Sequence, residues 1–163
     1  VTELEIVQVR LRELPVPVWA RTQQATDELL REFALASAAP ADEHKHPLPA
    51  RLTALIASLT ERFAGVSSEQ EQQLFDAADA GVPVIPELVF TVPAEAAAAS
   101  RALGDMLDEA DDYCRAGRHL LTLAAPDEVV AFRRWYLSEF IRQTDGEPPV
   151  PWSRYDGWWP EPT

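Results

Sequence analysis

Apolar residues recur along this chain with two distinct periods. Over residues 94–116, Ala99, Leu103, Met106, Leu107, Ala110, Tyr113 and Cys114 fall on one helical face, and Asp105, Asp108, Asp111 and Asp112 read as the opposite, acidic side. Over 126–143, Val129, Phe132, Tyr136 and Phe140 form one stripe and Val130, Leu137 and Ile141 the next. So wide an apolar arc predicts a central, buried helix. Three more helices follow from the same spacing. Residues 18–38 carry Val18, Thr22, Ala25, Leu29 and Phe33; Leu48, Leu52, Leu55, Ile56, Leu59 and Phe63 form a stripe that starts around Pro49 and ends before Gly65. Ser68 and Glu71 have the spacing of a capping box, which predicts a short helix over 69–80 stopped by Gly81. Only Leu74, Phe75 and Ala78 are there to dock it, so it is expected to be the least firmly held element.

Period-two alternation marks the strands. Val7, Val9 and Leu11 alternate with Gln8, Arg10 and Arg12 until Leu14-Pro15-Val16-Pro17 stops the run. Leu88, Phe90 and Val92 alternate with Glu87, Val89 and Thr91 after an extended linker marked by Pro83 and Pro86. The short apolar run 120–123 supplies a third strand, and the helix over 94–116 has a length suited to a right-handed crossover between parallel neighbours. The expected fold is a single helix-rich α+β domain over 1–144, in the order β-α-α-α-β-α-β-α. Its helices pack on a small mixed three-stranded sheet. Residues 145–163 form a C-terminal arm too rich in proline for regular structure and too rich in tryptophan for an idle linker.

Composition narrows the functions. The 163 residues are 47% hydrophobic, enough for one core. A formal net charge of -13 repels a nucleic-acid backbone and an anionic membrane surface, and leaves solubility alone or a neutral or basic protein partner as its use. Cys114 is the only cysteine, so no intramolecular disulfide can form and a reducing, cytoplasmic setting is expected. No run approaches the ~18 apolar residues of a membrane span. Lys45 is the sole lysine and alanine is abundant, as in a GC-rich genome. Val1 fits a GUG start translated literally, which would make this a complete small protein.

Candidate chemistry is sparse. Gly65, Gly81, Gly104, Gly117, Gly146 and Gly157 lie too far apart to cradle a phosphate. His44 and His46 sit among Asp42 and Glu43, but a zinc site needs three or four ligands, so the segment reads as a solvated loop. Cys114 lies five residues before His119, yet its place on an apolar stripe reads as a core thiol. Asp105, Asp108, Glu109 and Asp112 share helical spacing and allow acid-base or metal chemistry, but with no apolar interruption on that side they read as a solvated acidic face. No cofactor and no metal is expected. Arg133, Arg134 and Trp135 are more specific, because two arginines inside the most apolar helix must be paired or functional. Glu139 or the acids of the preceding helix are candidate partners. With Trp152, Tyr155, Trp158 and Trp159 of the arm, these three form the candidate protein-interaction set. The arm either clasps its own domain or a second copy, or completes a groove for a different partner.

The segments Met106-Leu107-Asp108-Glu109-Ala110-Asp111-Asp112-Tyr113-Cys114-Arg115-Ala116-Gly117 and Phe132-Arg133-Arg134-Trp135-Tyr136-Leu137-Ser138-Glu139-Phe140, with the region from Leu11 to Phe33, resemble a group of small actinobacterial proteins labelled anti-sigma-type or ATP-binding regulators. The resemblance implies a place in partner-switching modules of kinase-like ATPases, STAS antagonists and serine phosphatases. ATP turnover of that kind needs an Asp-x-Gly-x-Gly motif and a magnesium-binding asparagine. Here Asp79-Ala80-Gly81-Val82-Pro83 ends in proline, and the sequence contains no asparagine. The leading expectation is therefore a non-enzymatic protein-interaction module in bacterial signal transduction. A small-molecule or nucleotide-binding sensor comes second, and an acid-base or metal-dependent enzyme using the acidic helix third.

Overall fold

The computed structural model describes residues 5–38, 48–63, 65–116 and 126–155. In chain order these form β1 (Ile6–Pro15), α1 (Val16–Ala38), α2 (Leu48–Arg62), α3 (Ser68–Asp79), β2 (Val84–Pro93), α4 (Ala96–Arg115), α5 (Asp127–Thr144) and a 3-10 turn at Trp152–Arg154. The strands pair antiparallel, with Val9 opposite Phe90 and Leu11 opposite Leu88. Alternation puts Val9, Leu11, Leu88, Phe90 and Val92 in the core and Arg10, Arg12 and Glu87 in water, where Arg10 and Glu87 pair at 3.1 Å.

The alternation slips once, in both strands together. Glu13 has φ +56, a left-handed backbone that costs a non-glycine residue roughly 1–2 kcal/mol. The pairing skips this residue, passing from Arg12 opposite Glu87 to Leu14 opposite Ile85, and Pro86 between those partners has no N–H to donate to the ladder. Arg12 and Glu13 both point outward, as do Pro86 and Glu87, and Leu14 and Ile85 then return to the core. Both strands are thus longer than their alternation predicts: Leu14-Pro15 belongs to β1, and the expected linker around Pro86 belongs to β2. α1 also starts earlier than expected, at Val16, whose N–H donates to Pro83 O at 3.0 Å. Pro17 sits in the first helical turn, where a missing N–H costs nothing.

The expected mixed three-stranded sheet is corrected. Among the described residues the sheet has two strands, both antiparallel, and the next described element after α4 is α5, not a parallel strand. The run 120–123 lies outside the described residues. The physical reason is that helix side chains occupy the edges of the ladder. Gln143 of α5 accepts from Arg10 N and donates to Arg10 O, both at 2.8 Å. Gln70 of α3 donates to Val89 O at 2.8 Å on the other strand. The amides of two glutamines thus take main-chain positions that a further strand would need. A smaller correction concerns the start of α3: Ser67, not Ser68, precedes the helix, and its hydroxyl donates to the Glu71 carboxylate at 3.2 Å without capping the backbone.

Two apolar clusters fill the interior. The first joins Val9, Leu11, Phe90 and Val92 of the sheet to Val16, Val18 and Trp19 of α1, Leu74 of α3, and Phe132, Trp135 and Phe140 of α5. The second joins Leu29 and Phe33 of α1, Leu52 of α2, and Leu107 and Ala110 of α4. α5 is central, as its two apolar stripes predict. No helix among the described residues is long and apolar enough to cross a membrane.

Candidate functional site

The C-terminal arm is joined to α5 by a sharp reversal. Gly146, at φ +87, follows Asp145 in the left-handed conformation that glycine tolerates best. Its N–H donates to Gln143 O at 3.1 Å and the Glu147 N–H donates to Arg142 O at 3.0 Å, the paired bonds of a Schellman helix end. The chain then runs back along α5. In Pro148-Pro149-Val150-Pro151 only Val150 has an amide hydrogen, and it donates to Glu139 Oε1 at 2.6 Å. Val150 O in turn accepts from Trp135 Nε1 at 2.8 Å.

Glu139 is 1% exposed, and a carboxylate so buried must be fully bonded. It is: beyond Val150 it accepts from Gln143 Nε2 at 3.3 Å and from Arg142 Nη1 at 2.5 Å. Arg142 also donates to Pro148 O at 3.1 Å and pairs with Glu147 at 3.3 Å. Trp152 closes the arm over this network, its ring 5.6 Å from that of Trp135, 5.9 Å from Phe132 and 6.2 Å from Tyr155. The Ser153 hydroxyl donates to Glu13, linking the arm to the kink in β1.

On the face of α5 toward α4, Arg133 is buried, its side chain 8% exposed. Its Nη2 lies 2.7 Å from Asp108 and 2.8 Å from Asp111. Arg134, 57% exposed, reaches the same Asp108 at 3.4 Å. Of the candidate partners for these arginines, the acids of the preceding helix bind them and Glu139 binds Arg142 instead. Asp111 does not lie on the solvated side of α4: it is buried, four residues beyond Leu107 and so inside the apolar stripe.

These elements frame a cleft of 230 Å³ between α4, α5 and the arm. Its apolar floor includes Leu137 and Ile141, and its rim carries Arg101, Asp105, Asp108, Arg134 and Tyr155. Burial raises the pKa of Tyr155; Arg134 opposes the rise, and Asp108 and Glu139 add to it. The phenol is therefore a neutral donor and acceptor at the cleft edge.

The candidate interaction residues divide by exposure. Trp135, 0% exposed, and Arg133 face inward and hold the site together. Arg134, Trp152 and Tyr155 come to the surface in one region, and Trp158 and Trp159 lie outside the described residues. Arg101, Ser138 and Arg142 belong to this site without having been singled out in the sequence, and Glu139 was singled out there only as a partner for Arg133 and Arg134. Arg142 and Glu139 carried a signal in their i,i+3 spacing on an apolar helix; Arg101 and Ser138 carried none.

The remaining chemical candidates disperse. Asp112 is exposed beside Arg115 at 3.4 Å, and Glu109 pairs with Arg51 at 3.6 Å. Among the described residues no group of three or more His, Cys, Asp or Glu side chains could hold a metal. His44, His46 and His119 lie outside those residues. Cys114 is half-buried against the second cluster; burial, then Asp111 and Glu32, push its thiol up to about 11. Comparison with protein-family models, curated proteins and solved structures returns no match.

Proposed function

We propose that the chain is a non-enzymatic protein-interaction module of bacterial signal transduction and that the cleft between α4, α5 and the arm is its docking surface. The observation that carries this reading is the meeting of Arg134 and Tyr155 at one apolar-floored cleft, produced by the folding back of the arm. Arginine and tyrosine are enriched among the residues that dominate protein interfaces. The mixed charge of the rim argues against a phosphate or nucleotide there, because Asp108 and Asp111 together already neutralise Arg133 and Arg134, and Asp105 lines the same wall. A protein surface can match such a rim donor for acceptor, and a chain of net charge -13 favours a partner that is neutral or basic overall. The resemblance to partner-switching regulators would make that partner a component of such a module.

A photo-crosslinking residue at Ser138, introduced in the source cell, tests the proposal. We expect one discrete crosslinked protein, lost in Arg101→Ala/Arg134→Ala with the melting temperature unchanged and the affinity reduced about tenfold or more. Retrieval of the same protein by the double variant, or crosslinks no different from those at an exposed control position on α2, would contradict it.

A further inference from the structure

A second pocket, of 220 Å³, opens between α2, β2, α4 and α5. Leu59, Phe63, Phe90, Val92, Ala96 and Leu103 supply carbon walls, and α5 contributes Tyr136. The ring of Tyr136 is fixed by edge or tilted contacts to Phe90, Phe132 and Phe140 at 6.0, 6.0 and 5.3 Å. Its hydroxyl has no hydrogen-bond partner among the described residues, and neither has that of Ser100 on the same wall. Ser67, the third hydroxyl of the pocket, is engaged with Glu71. Elsewhere on α5, Trp135 Nε1, Glu139 and Gln143 all have partners, and the buried atom left without one is Arg133 Nε, on the face toward α4. Tyr136 is only partly buried where it lines this apolar recess, so its phenol is a donor open to a molecule that enters.

Size and charge limit what that can be. A cavity of about 150 Å³ holds a benzene molecule, so this one has room for roughly nine non-hydrogen atoms. Burial and the nearby Glu71 carboxylate raise the pKa of Tyr136, which keeps the phenol a neutral donor across the physiological range. The same carboxylate repels an anion. We propose that this pocket binds a neutral, largely apolar small molecule with one hydrogen-bond acceptor, such as an aryl ketone, and that Tyr136 donates to that acceptor. The pocket adjoins the docking cleft through Ser100 and Leu137 but does not depend on the partner reading.

Three probes of nine non-hydrogen atoms separate the terms: acetophenone, its oxygen-free analogue α-methylstyrene, and benzoate. Each is titrated into the whole chain while backbone amide resonances are followed. Acetophenone is expected to shift the amides of Val92, Ala99, Ser100 and Leu103. Tyr136→Phe should weaken it roughly fivefold, the worth of one neutral hydrogen bond, and leave α-methylstyrene unchanged. Benzoate should bind at least tenfold more weakly than acetophenone. A folded Ala99→Leu variant, which fills the pocket, should bind none of them. The proposal is overturned if acetophenone produces no shifts confined to these amides, if Tyr136→Phe leaves its affinity unchanged, or if Ala99→Leu binds it as well as the original chain does.

Discussion

The two apolar clusters are held together by different means. Around α5 and the sheet, large rings meet one another: Phe90 lies 5.2 Å from Phe140, and Trp135 lies 5.6 Å from Trp152. Buried polar groups within that cluster complete a network from Gln143 through Glu139 to the arm. The second cluster, between α1, α2 and α4, is mostly aliphatic, and Glu32 beside it has a buried carboxylate oxygen, Oε2, without a hydrogen-bond partner. The first cluster therefore specifies one arrangement by geometry as well as by hydrophobicity, whereas the second is joined mainly by apolar contact. The candidate docking cleft is built on the first.

The largest expected effect comes from the ring at the centre of that cluster. Trp135→Ala should destabilise by about 3–5 kcal/mol through its cavity, and it also removes the donor to Val150. Leu52→Ala in the second cluster should cost about 2–3 kcal/mol, the lower part of the range for a leucine truncation. Urea denaturation of both variants would break the comparison if Leu52→Ala proved the more damaging.

Ending the chain after Gly146 should come next. It removes Trp152 and takes the Val150 donor from the Glu139 carboxylate. The expected loss is about 3 kcal/mol, or roughly 10 °C in Tm for a domain of this size. An unchanged Tm would mean that the arm adds nothing to the first cluster.

The smallest effect sharpens the second cluster. With its thiol pushed from 9.0 up to about 11, Cys114 carries on the order of a hundredfold less thiolate than an unperturbed cysteine. Labelling at neutral pH should be correspondingly slow. The folded value lies above the unfolded one, so the contribution of the neutral thiol is fully present below about pH 9 and declines as pH rises toward 11. Cys114→Ser should remove that decline; an equal decline in this variant would show that Cys114 does not cause it.

Much of this architecture is legible in the sequence. The wide apolar arc of Phe132, Tyr136 and Phe140 marks α5 as central, and alternation finds Val9, Leu11, Phe90 and Val92. Asp145-Gly146 announces the turn, and three prolines around Val150 leave one amide whose partner the fold must supply. Other features depend on contacts far apart in the chain. Nothing local tells that Gln143 lies against the edge of β1, and so nothing local limits the sheet to the two strands seen. Asp111 is a more instructive case: its distance from Leu107 placed it within reach of the apolar face, but a face defined by polarity alone put it with the solvated acids. Arg133 explains its burial. Arg101 and Ser138 enter the cleft only through the packing of α4 on α5, which no spacing encodes.

Hydrogen exchange at the Val150 amide tests most directly whether the arm is part of the domain. The amide is the only one among residues 148–151, and it donates at 2.6 Å to a carboxylate that is 1% exposed. It should exchange as slowly as the neighbouring amides of α5, and speed up in Trp152→Ala. Exchange at the rate of an unprotected peptide in the original chain would contradict the account.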